Sequence, residues 1–283
     1  MSVNRNVTGP DGRDFMDGRG YVDGVPGAAT RGVSSLEPRA GSVDDSSICD
    51  TRGMCGRFVQ AHDPAEYAEY LGASVSVSQS LAPSWNVAPT DQVYAVAEHD
   101  GLRQLGTFRW GLIPWFAKDH KIGARHINAR AETVHSKPAF KESFERRRCV
   151  IPADGFYEWE KMESGGKLPH YLFRRDRSPL VLAGLWASWR DEKGDRITSC
   201  TVVTTTPNDL VAPIHDRMPV VLTEDVWDRW LDPDFGDLGA LQSMLQPFDP
   251  GSMAEYPVST LVNKVANNYP ECIAPLVFGG DIA

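Results

Sequence analysis

The chain has 283 residues, of which 41% are hydrophobic, so it can bury a sizeable core over most of its length. Its formal net charge of −9 argues against a broad, non-specific duplex-DNA binder, which is normally basic overall, but leaves room for a local basic groove. No apolar run approaches membrane-spanning length, and the five scattered cysteines form no C-x-x-C pair, so we expect a cytoplasmic protein with reduced thiols, no metal and no cofactor.

Residues 1–53 differ in composition from the rest of the chain. They are rich in Gly, Asp, Arg and Ser, include turn-forming stretches such as "TGPDGRD", and keep no helical or alternating apolar pattern. We predict a disordered N-terminal extension that is either a mis-assigned start upstream of Met54 or a propeptide that is removed. Residues 54–283 contain no internal repeat or low-complexity linker and are predicted to form one domain.

The first predicted elements after Met54 are a strand, a helix and a pair of strands. "RFVQ" is typical of a short strand. "HDPAEYAEYLG" predicts a helix with Asp63 as its N-cap, Pro64 at the first helical position and Gly72 at its end. "QVYAVAEHDGLRQLGTFRW" predicts two strands that turn at "HDG".

The rest of the chain predicts two more strand pairs and three helices. "SKPAFKESFERRR" indicates a helix entered at Ser136, and "TEDVWDRWLD" and "GDLGALQSMLQ" indicate two short helices. "CVIPADGFYEWEKMESGGKLPHYLFRR" predicts a strand pair that turns at "SGGK", and "PLVLAGLWASWRDEKGDRITSCTVVTTTPND" predicts another that turns at "EKGD". Because strands joined by tight turns predominate, with helices interspersed, we predict an α+β fold built on a curved antiparallel sheet.

The run "TRGMCGRF", residues 51–58, has the form of a protein start inside the chain. Cys55 is small enough to permit removal of Met54, and it would then carry a free amine and a thiol on adjacent carbons. Since an α-amine has a pKa near 7.7 to 8.0, roughly a quarter of it is free base near pH 7.5. Such an amine can form an imine with an aldehyde, and the thiol can then close a durable thiazolidine ring. An abasic site in DNA is one cellular source of the aldehyde.

Two further motifs carry polar groups that suit this chemistry. "HINARAETV" places Asn128, Arg130 and Glu132 at alternating positions, which fits either a phosphate-binding strand or a solvated sheet edge. "IPADGFYEWE" places Glu158 between two aromatic residues. Desolvation there would suit the carboxylate to general acid–base work, although a glutamate at a sheet edge fits the pattern as well.

Two more motifs leave a structural and a functional interpretation open. "PIHDRMPVVL" sets His215 ahead of an apolar strand, as a proton-transfer group or a structural hydrogen-bonding residue, with Arg217 able to bind a phosphate through two hydrogen bonds. In "RWGLIPWF", Trp110 at a strand end is expected in the core. Trp115 and Phe116 lie in a loop beside cationic residues, which suits stacking on the bases of single-stranded nucleic acid.

Taken together and in this order, six motifs resemble the SOS response-associated peptidase family: "MCGRF", "WNVAPT", "WGLIPWF", "INARAET", "CVIPADGFYEW" and "IHDRMP". The resemblance extends from Met54 to about Val277. It implies a single domain with a curved, barrel-like β core flanked by short helices, a basic cleft for single-stranded DNA, and covalent capture of abasic sites during the DNA damage response. It also implies a self-processing peptidase step, an associated lyase activity, and a monomer that joins the nucleoid when bound to DNA.

The resemblance also assigns roles to single residues. Cys55 corresponds to the crosslinking residue, Asn128 to the residue that holds the cysteine and the sugar, Glu158 to the acid–base that helps to open the sugar, and His215 to the group that shuttles protons at the sugar hydroxyl. The DNA contacts that it implies are Arg57, Pro89, Trp115, Phe116, Arg130 and Arg217.

The chain departs from the family pattern by its N-terminal extension. With residues 1–53 attached, the nitrogen of Cys55 is an amide and cannot attack an aldehyde, so translation must start at Met54 or the chain must be cut before Cys55. Two other classes of function remain open. One is a cysteine hydrolase, either a thiol peptidase that uses Cys55 with His215 and Asn128 or a self-freeing amidase. The other is a non-catalytic single-strand binder.

Overall fold

A closed β-barrel forms the centre of the protein in its computed structural model, which describes residues 56–277. All of these residues belong to one compact unit. The predicted extension, residues 1–53, and Cys55 lie outside the described residues. The strands in the described part are β1 Arg57–Gln60, β2 Ser74–Val75, β3 Ser84–Val87, β4 Gln92–His99, β5 Leu102–Trp110, β6 Asn128–Arg130, β7 Arg148–Ala153, β8 Gly155–Lys161, β9 Lys167–Arg174, β10 Leu180–Arg190, β11 Arg196–Thr205, β12 Met218–Pro219 and β13 Met253–Pro257.

The barrel is a ring of five strands, in the order β11-β10-β7-β4-β5. Four neighbouring pairs in the ring are antiparallel, as predicted, and the fifth is parallel. That pair sets Ser199 of β11 opposite Arg109 and Cys200 opposite Trp110 at the end of β5, and so closes the ring. Trp110 is only 1% exposed, which confirms its predicted place in the core. The predicted α+β class with a curved, barrel-like core is therefore confirmed, with a parallel pair at the closure.

The second sheet contains β1, the first strand of the described chain. Its five strands follow the order β13-β9-β8-β1-β3. β1 pairs antiparallel with β8, so that Arg57 lies opposite Tyr157 and Phe58 opposite Phe156. The first described residue, Gly56, precedes Arg57, so it lies at the level of Glu158, the residue after Tyr157 on β8.

Four α-helices lie among the described residues, and none of these is long and apolar enough to cross a membrane. Helix α1 has the predicted start, because the side chain of Asp63 accepts a hydrogen bond from the backbone N–H of Ala65 and Pro64 occupies the first turn. Gly72 follows its end with a φ of +60°. The helices are α1 Pro64–Tyr70, α2 Lys141–Arg146, α3 Glu224–Leu231 and α4 Leu238–Ser243.

Two predicted boundaries are wrong. The helix expected from Ser136 begins only at Lys141, after two turns. Pro138 disfavours helical geometry at the residue before it and lacks a backbone donor, which explains the delay. The strand expected to run from "CVIPA" into "GFYEWE" is divided at Asp154 into β7 and β8, which belong to different sheets.

The strand end at Trp110 leads into a loop that is fixed by the contact of two glycines. A Cβ atom on Gly123 would lie 2.5 Å from the carbonyl oxygen of Gly111, and Gly111 has a φ of +127°, which favours glycine. Three hydrogen bonds join this loop to the barrel: Gly111 N–H to the Cys200 carbonyl at 2.8 Å, Ile113 N–H to Ser199 Oγ at 2.9 Å, and the Trp110 indole N–H to the Ile127 carbonyl at 2.9 Å.

We expect Gly123→Ala to lower the free energy of unfolding by about 2 to 3 kcal/mol, because the new methyl group meets backbone that cannot move aside cheaply. Urea denaturation followed by circular dichroism measures the change. Gly239→Ala in α4 is the matched control, since its Cβ would lie 3.4 Å from the nearest side-chain atom. A neutral Gly123→Ala variant would show that the loop is not fixed at this contact.

Candidate functional site

Glu158 and His215 form the centre of the site. Glu158 lies on β8 and its side chain is almost wholly buried, while His215 comes from the segment before β12. His215 Nδ1 is 3.8 Å from Glu158 Oε2, and the backbone N–H of Arg217 donates to the same nitrogen at 3.1 Å. The carbonyl oxygen of Arg217 lies 3.2 Å from the same nitrogen, so these contacts fit either tautomer of the neutral ring. This carboxylate and imidazole can together transfer protons at a site that is largely shielded from solvent.

Arg217 and Glu132 extend the site from His215 toward β6. Arg217 donates from Nη1 and Nη2 to the two carboxylate oxygens of Glu132 at 2.6 and 3.0 Å, and from Nη2 to the carbonyl of Thr204 at 2.7 Å. The hydrogen bonds from Arg217 lower the pKa of Glu132, so the carboxylate stays charged. The fork of Arg217 is thus engaged by a carboxylate, and its role as a phosphate contact stays a prediction.

Strand β6 carries Asn128 and Arg130 along β11. It pairs parallel with β11, so that Asn128 lies opposite Val202 and Arg130 opposite Thr204. The predicted alternation holds only for these two residues, since the strand ends before Glu132. Asn128 is buried whereas Arg130 is exposed. An exposed cation beside a buried amide suits contact with a charged ligand at Arg130 and hydrogen bonding of a smaller group at Asn128.

Arg57 at the start of β1 joins the site to the C-terminal part of the chain. Its Nη1 donates to Asn86 Oδ1 at 2.9 Å and to the carbonyl of Val262 at 2.9 Å. Arg57 is buried, so its use as a phosphate contact also stays a prediction. These bonds give it a second task, which is to hold the segment around Val262 against β1 and β3.

Sequence reasoning missed Asn86 and the segment that it holds. The side-chain amide of Asn86 donates to the carbonyls of Val262, Lys264 and Asn267 at 3.2, 3.1 and 2.8 Å. The signal was present in "WNVAPT", because an asparagine between Trp85 and Val87 in a buried strand needs partners for its amide. The position of those partners, far along the chain, could not be read from the spacing.

Pro89 lies in a turn beside the end of β5, and the exposed aromatic residues lie in the loop that follows this strand. The turn that contains Pro89 is tied to this strand, because Thr90 N–H donates to the Trp110 carbonyl at 2.8 Å. Trp115 and Phe116 are 64% and 51% exposed, and their rings meet edge to face at 5.7 Å. Two adjacent aromatic side chains left in water fit the predicted stacking surface.

The geometry thus brings together several predicted residues. Contacts join Glu158 to His215, His215 to Arg217, and Arg217 to Glu132 just after β6. The turn that contains Pro89 is hydrogen-bonded to the end of β5. Cys55, the predicted nucleophile, lies outside the described residues. Among the residues that are described, no group of three His, Cys, Asp or Glu side chains could hold a metal ion.

Residues 54–265 match the model of a family described as "SOS response associated peptidase (SRAP)". The chain is 42% identical over 221 residues to the abasic site processing protein YoqW of Bacillus subtilis, covering 78% of this chain and 99% of that protein. It is 30% identical over 229 residues to the abasic site processing protein YedK of Escherichia coli, covering 79% of this chain and all of the relative.

An animal protein and a solved structure are also similar. The chain is 34% identical over 233 residues to the abasic site processing protein HMCES of Xenopus tropicalis, covering 71% of this chain and 68% of the relative. A crystal structure of a Bacteroides thetaiotaomicron protein has a TM-score of 0.72 at 26% identity, covering 79% of this chain and all of that one.

Proposed function

Because this chain belongs to the SOS response associated peptidase (SRAP) family, we propose that it processes abasic sites in DNA by capturing them covalently through Cys55. The observation that carries the proposal is the buried Glu158 carboxylate, 3.8 Å from His215, at the level where β1 begins. Cys55 precedes Arg57 by two positions in the sequence, and Arg57 pairs with Tyr157, the residue before Glu158.

The proposed reaction starts at the α-amine of mature Cys55. The amine attacks the C1′ aldehyde of the ring-opened sugar and forms a carbinolamine. This loses water, after protonation of its hydroxyl group, and leaves an imine. The Cys55 thiol then adds to the imine carbon, its proton passes to the nitrogen, and a thiazolidine ring closes. One water is released for each adduct, and neither an oxidant nor a metal is needed.

Glu158 and His215 supply the proton transfers in this scheme. A buried carboxylic acid can protonate the departing hydroxyl of the carbinolamine and can help to open the sugar before it. His215 serves the sugar hydroxyl and the ring closure or its reversal. We place Asn128 as the residue that orients the cysteine and the sugar through its amide.

The DNA is proposed to be single-stranded around the lesion. We propose that the exposed Trp115 and Phe116 stack on unpaired bases and that the exposed Arg130 binds a phosphate. We propose that Pro89 lines the same DNA path and that the buried Arg57 and Arg217 contribute positive charge beneath it. We also propose that the protein acts as a cytoplasmic monomer that joins the nucleoid when it binds DNA.

The free amine requires that nothing precedes Cys55. We propose that residues 1–53 form an extension ahead of the catalytic domain. Either translation starts at Met54 and this methionine is removed, or the chain is cut before Cys55 in the peptidase step for which the family is named. A lyase activity at the bound sugar belongs to the same proposal, since an imine at C1′ favours elimination of the 3′ phosphate.

The decisive test combines two mass measurements. Intact mass of the protein made in cells is expected to show Cys55 as residue one. A preparation that begins at Cys55, mixed with a single-stranded oligonucleotide that carries one abasic site, is expected to give an adduct with the summed mass less one water. Full-length active protein, or an adduct on another residue, would contradict the proposal.

A further inference from the structure

An open pocket of about 520 Å³ lies beside the exposed aromatic pair. Its walls are mainly apolar and include Phe116, Ala117, Ile122 and Ala139, with His126 as a polar residue among them. The volume is within the usual range for small-molecule sites. Phe116 belongs both to the aromatic pair and to the pocket wall, so the two features adjoin.

The wall of the pocket at His126 is rigid and has a defined polar character. Leu112 N–H donates to the His126 carbonyl at 3.1 Å, and His126 Nδ1 lies 3.2 Å from the Leu112 carbonyl. A carbonyl can only accept, so Nδ1 carries the proton and Nε2 is an acceptor. Burial lowers the pKa of His126, which keeps the ring neutral. Its ring also meets Phe140 edge to face at 5.3 Å.

The segment of the chain that supplies the pocket walls is rich in basic residues. Between Trp115 and Arg147 the sequence has eight lysines and arginines against four acidic residues, although the whole chain has 29 against 38. Lys118 lines the pocket, and both Lys118 and Lys121 are exposed. Asp119 also lines the pocket, and its carboxylate accepts a hydrogen bond from the Lys121 backbone N–H at 2.9 Å.

We propose that this pocket holds one unstacked nucleobase of the DNA strand that carries the abasic site. The inference rests on the proposed function and adds a recognition site next to the lesion. Apolar walls suit the faces of a base, the His126 acceptor suits a donor on its edge, and the neighbouring lysines suit the phosphates on either side. A base that leaves the stack at Phe116 enters the pocket along the same aromatic ring.

A base-removal scan tests the proposal. The probe is a labelled single strand of about 12 nucleotides, with an unreactive tetrahydrofuran residue in place of the abasic sugar and a second one moved through each neighbouring position. Anisotropy with the protein as purified from cells is expected to show one position where loss of the base weakens binding about five- to a hundredfold.

Pocket-filling variants assign that position to the pocket. Ala139→Leu and, on another wall, Ala117→Leu are expected to weaken binding of the intact strand by a similar factor and to abolish the penalty at that one position. Leu102→Ala, at the exposed turn between β4 and β5, is the control and is expected to keep the wild-type pattern.

Two outcomes would overturn the inference: no position that exceeds a twofold penalty, or a penalty that persists in both filled variants. Adduct formation by the wild-type protein is measured separately on an abasic oligonucleotide. If no adduct forms while the scan shows the pocket-dependent position, the capture mechanism fails and the base pocket stands. If the adduct forms and the scan is flat, the capture mechanism stands and the base pocket is ruled out.

Discussion

Cys55→Ala is expected to abolish heat-stable attachment to DNA that carries an abasic site. An alanine keeps the α-amine, so an imine can still form, but this intermediate hydrolyses when no thiol closes the ring. Cys55→Ser is expected to give at most a weaker and reversible adduct, because an oxazolidine is less stable than a thiazolidine. A denaturing gel after heating measures the loss, which we expect to exceed a hundredfold for Ala, as when a covalent nucleophile is removed.

Cys272→Ala is the control for this experiment, since it removes a buried thiol of the domain and leaves the proposed nucleophile in place. Acetylation of the mature N-terminus separates capture from hydrolysis. It blocks the amine and is expected to stop adduct formation, whereas a thiol peptidase would tolerate it. Equal yields of stable adduct from wild type, Cys55→Ala and Cys55→Ser would contradict the thiazolidine. Binding of the abasic strand with no heat-stable adduct from any of the three would instead favour a protein that binds single strands without chemistry.

Glu158→Gln is expected to slow adduct formation by about 100-fold or more, because positioned acids and bases contribute roughly that much to a rate. The amide keeps the shape of the carboxylate but cannot donate and recover a proton. Binding to undamaged single strands is expected to stay within about twofold, since the buried side chain adds little to a charged DNA path. Quenched time courses give the rate, and anisotropy gives the affinity.

The matched control is Glu160→Gln, two residues along β8. Glu160 Oε2 lies 3.1 Å from His170 Nε2, on the part of the strand that pairs with β9, and is not linked to His215 by any contact among the described residues. We expect its rate of capture to match the wild type. If Glu158→Gln lost rate and single-strand affinity by the same factor, Glu158 would have a structural role only.

Local features of the fold could be read from the sequence because they depend on neighbouring residues. Asp63 and Pro64 mark the start of α1 as predicted. The turn at "HDG" also forms as predicted, with positive φ at Asp100 and Gly101.

The break between β7 and β8 could not be read in this way. It is set by Asp154, whose carboxylate accepts from the backbone N–H of Ala61 at 2.7 Å and from the Tyr67 hydroxyl at 2.7 Å. Both partners are distant in the chain, so no local pattern signals the break.

The candidate site could likewise be predicted from the sequence only in part. The motifs identified Glu158 and His215 as candidates, yet only the fold shows that they lie 3.8 Å apart. The roles of the arginines were harder to predict, because a sequence shows the charge of a residue but not its partners in the fold. Arg217 is held by Glu132, and Arg57 by Asn86 and Val262, so the cations that were expected to meet phosphates also brace the protein.

The bond from Arg57 to the Val262 carbonyl spans 205 positions of the chain, which has a consequence for biosynthesis. The start of β1 leaves the ribosome long before Val262 is added, so Arg57 cannot acquire this acceptor while most of the protein is still being made. The neighbourhood of the proposed nucleophile is therefore completed after translation is nearly finished. Nascent and C-terminally truncated chains would hold a cysteine without its finished surroundings, and the reactive protein would appear only once synthesis ends.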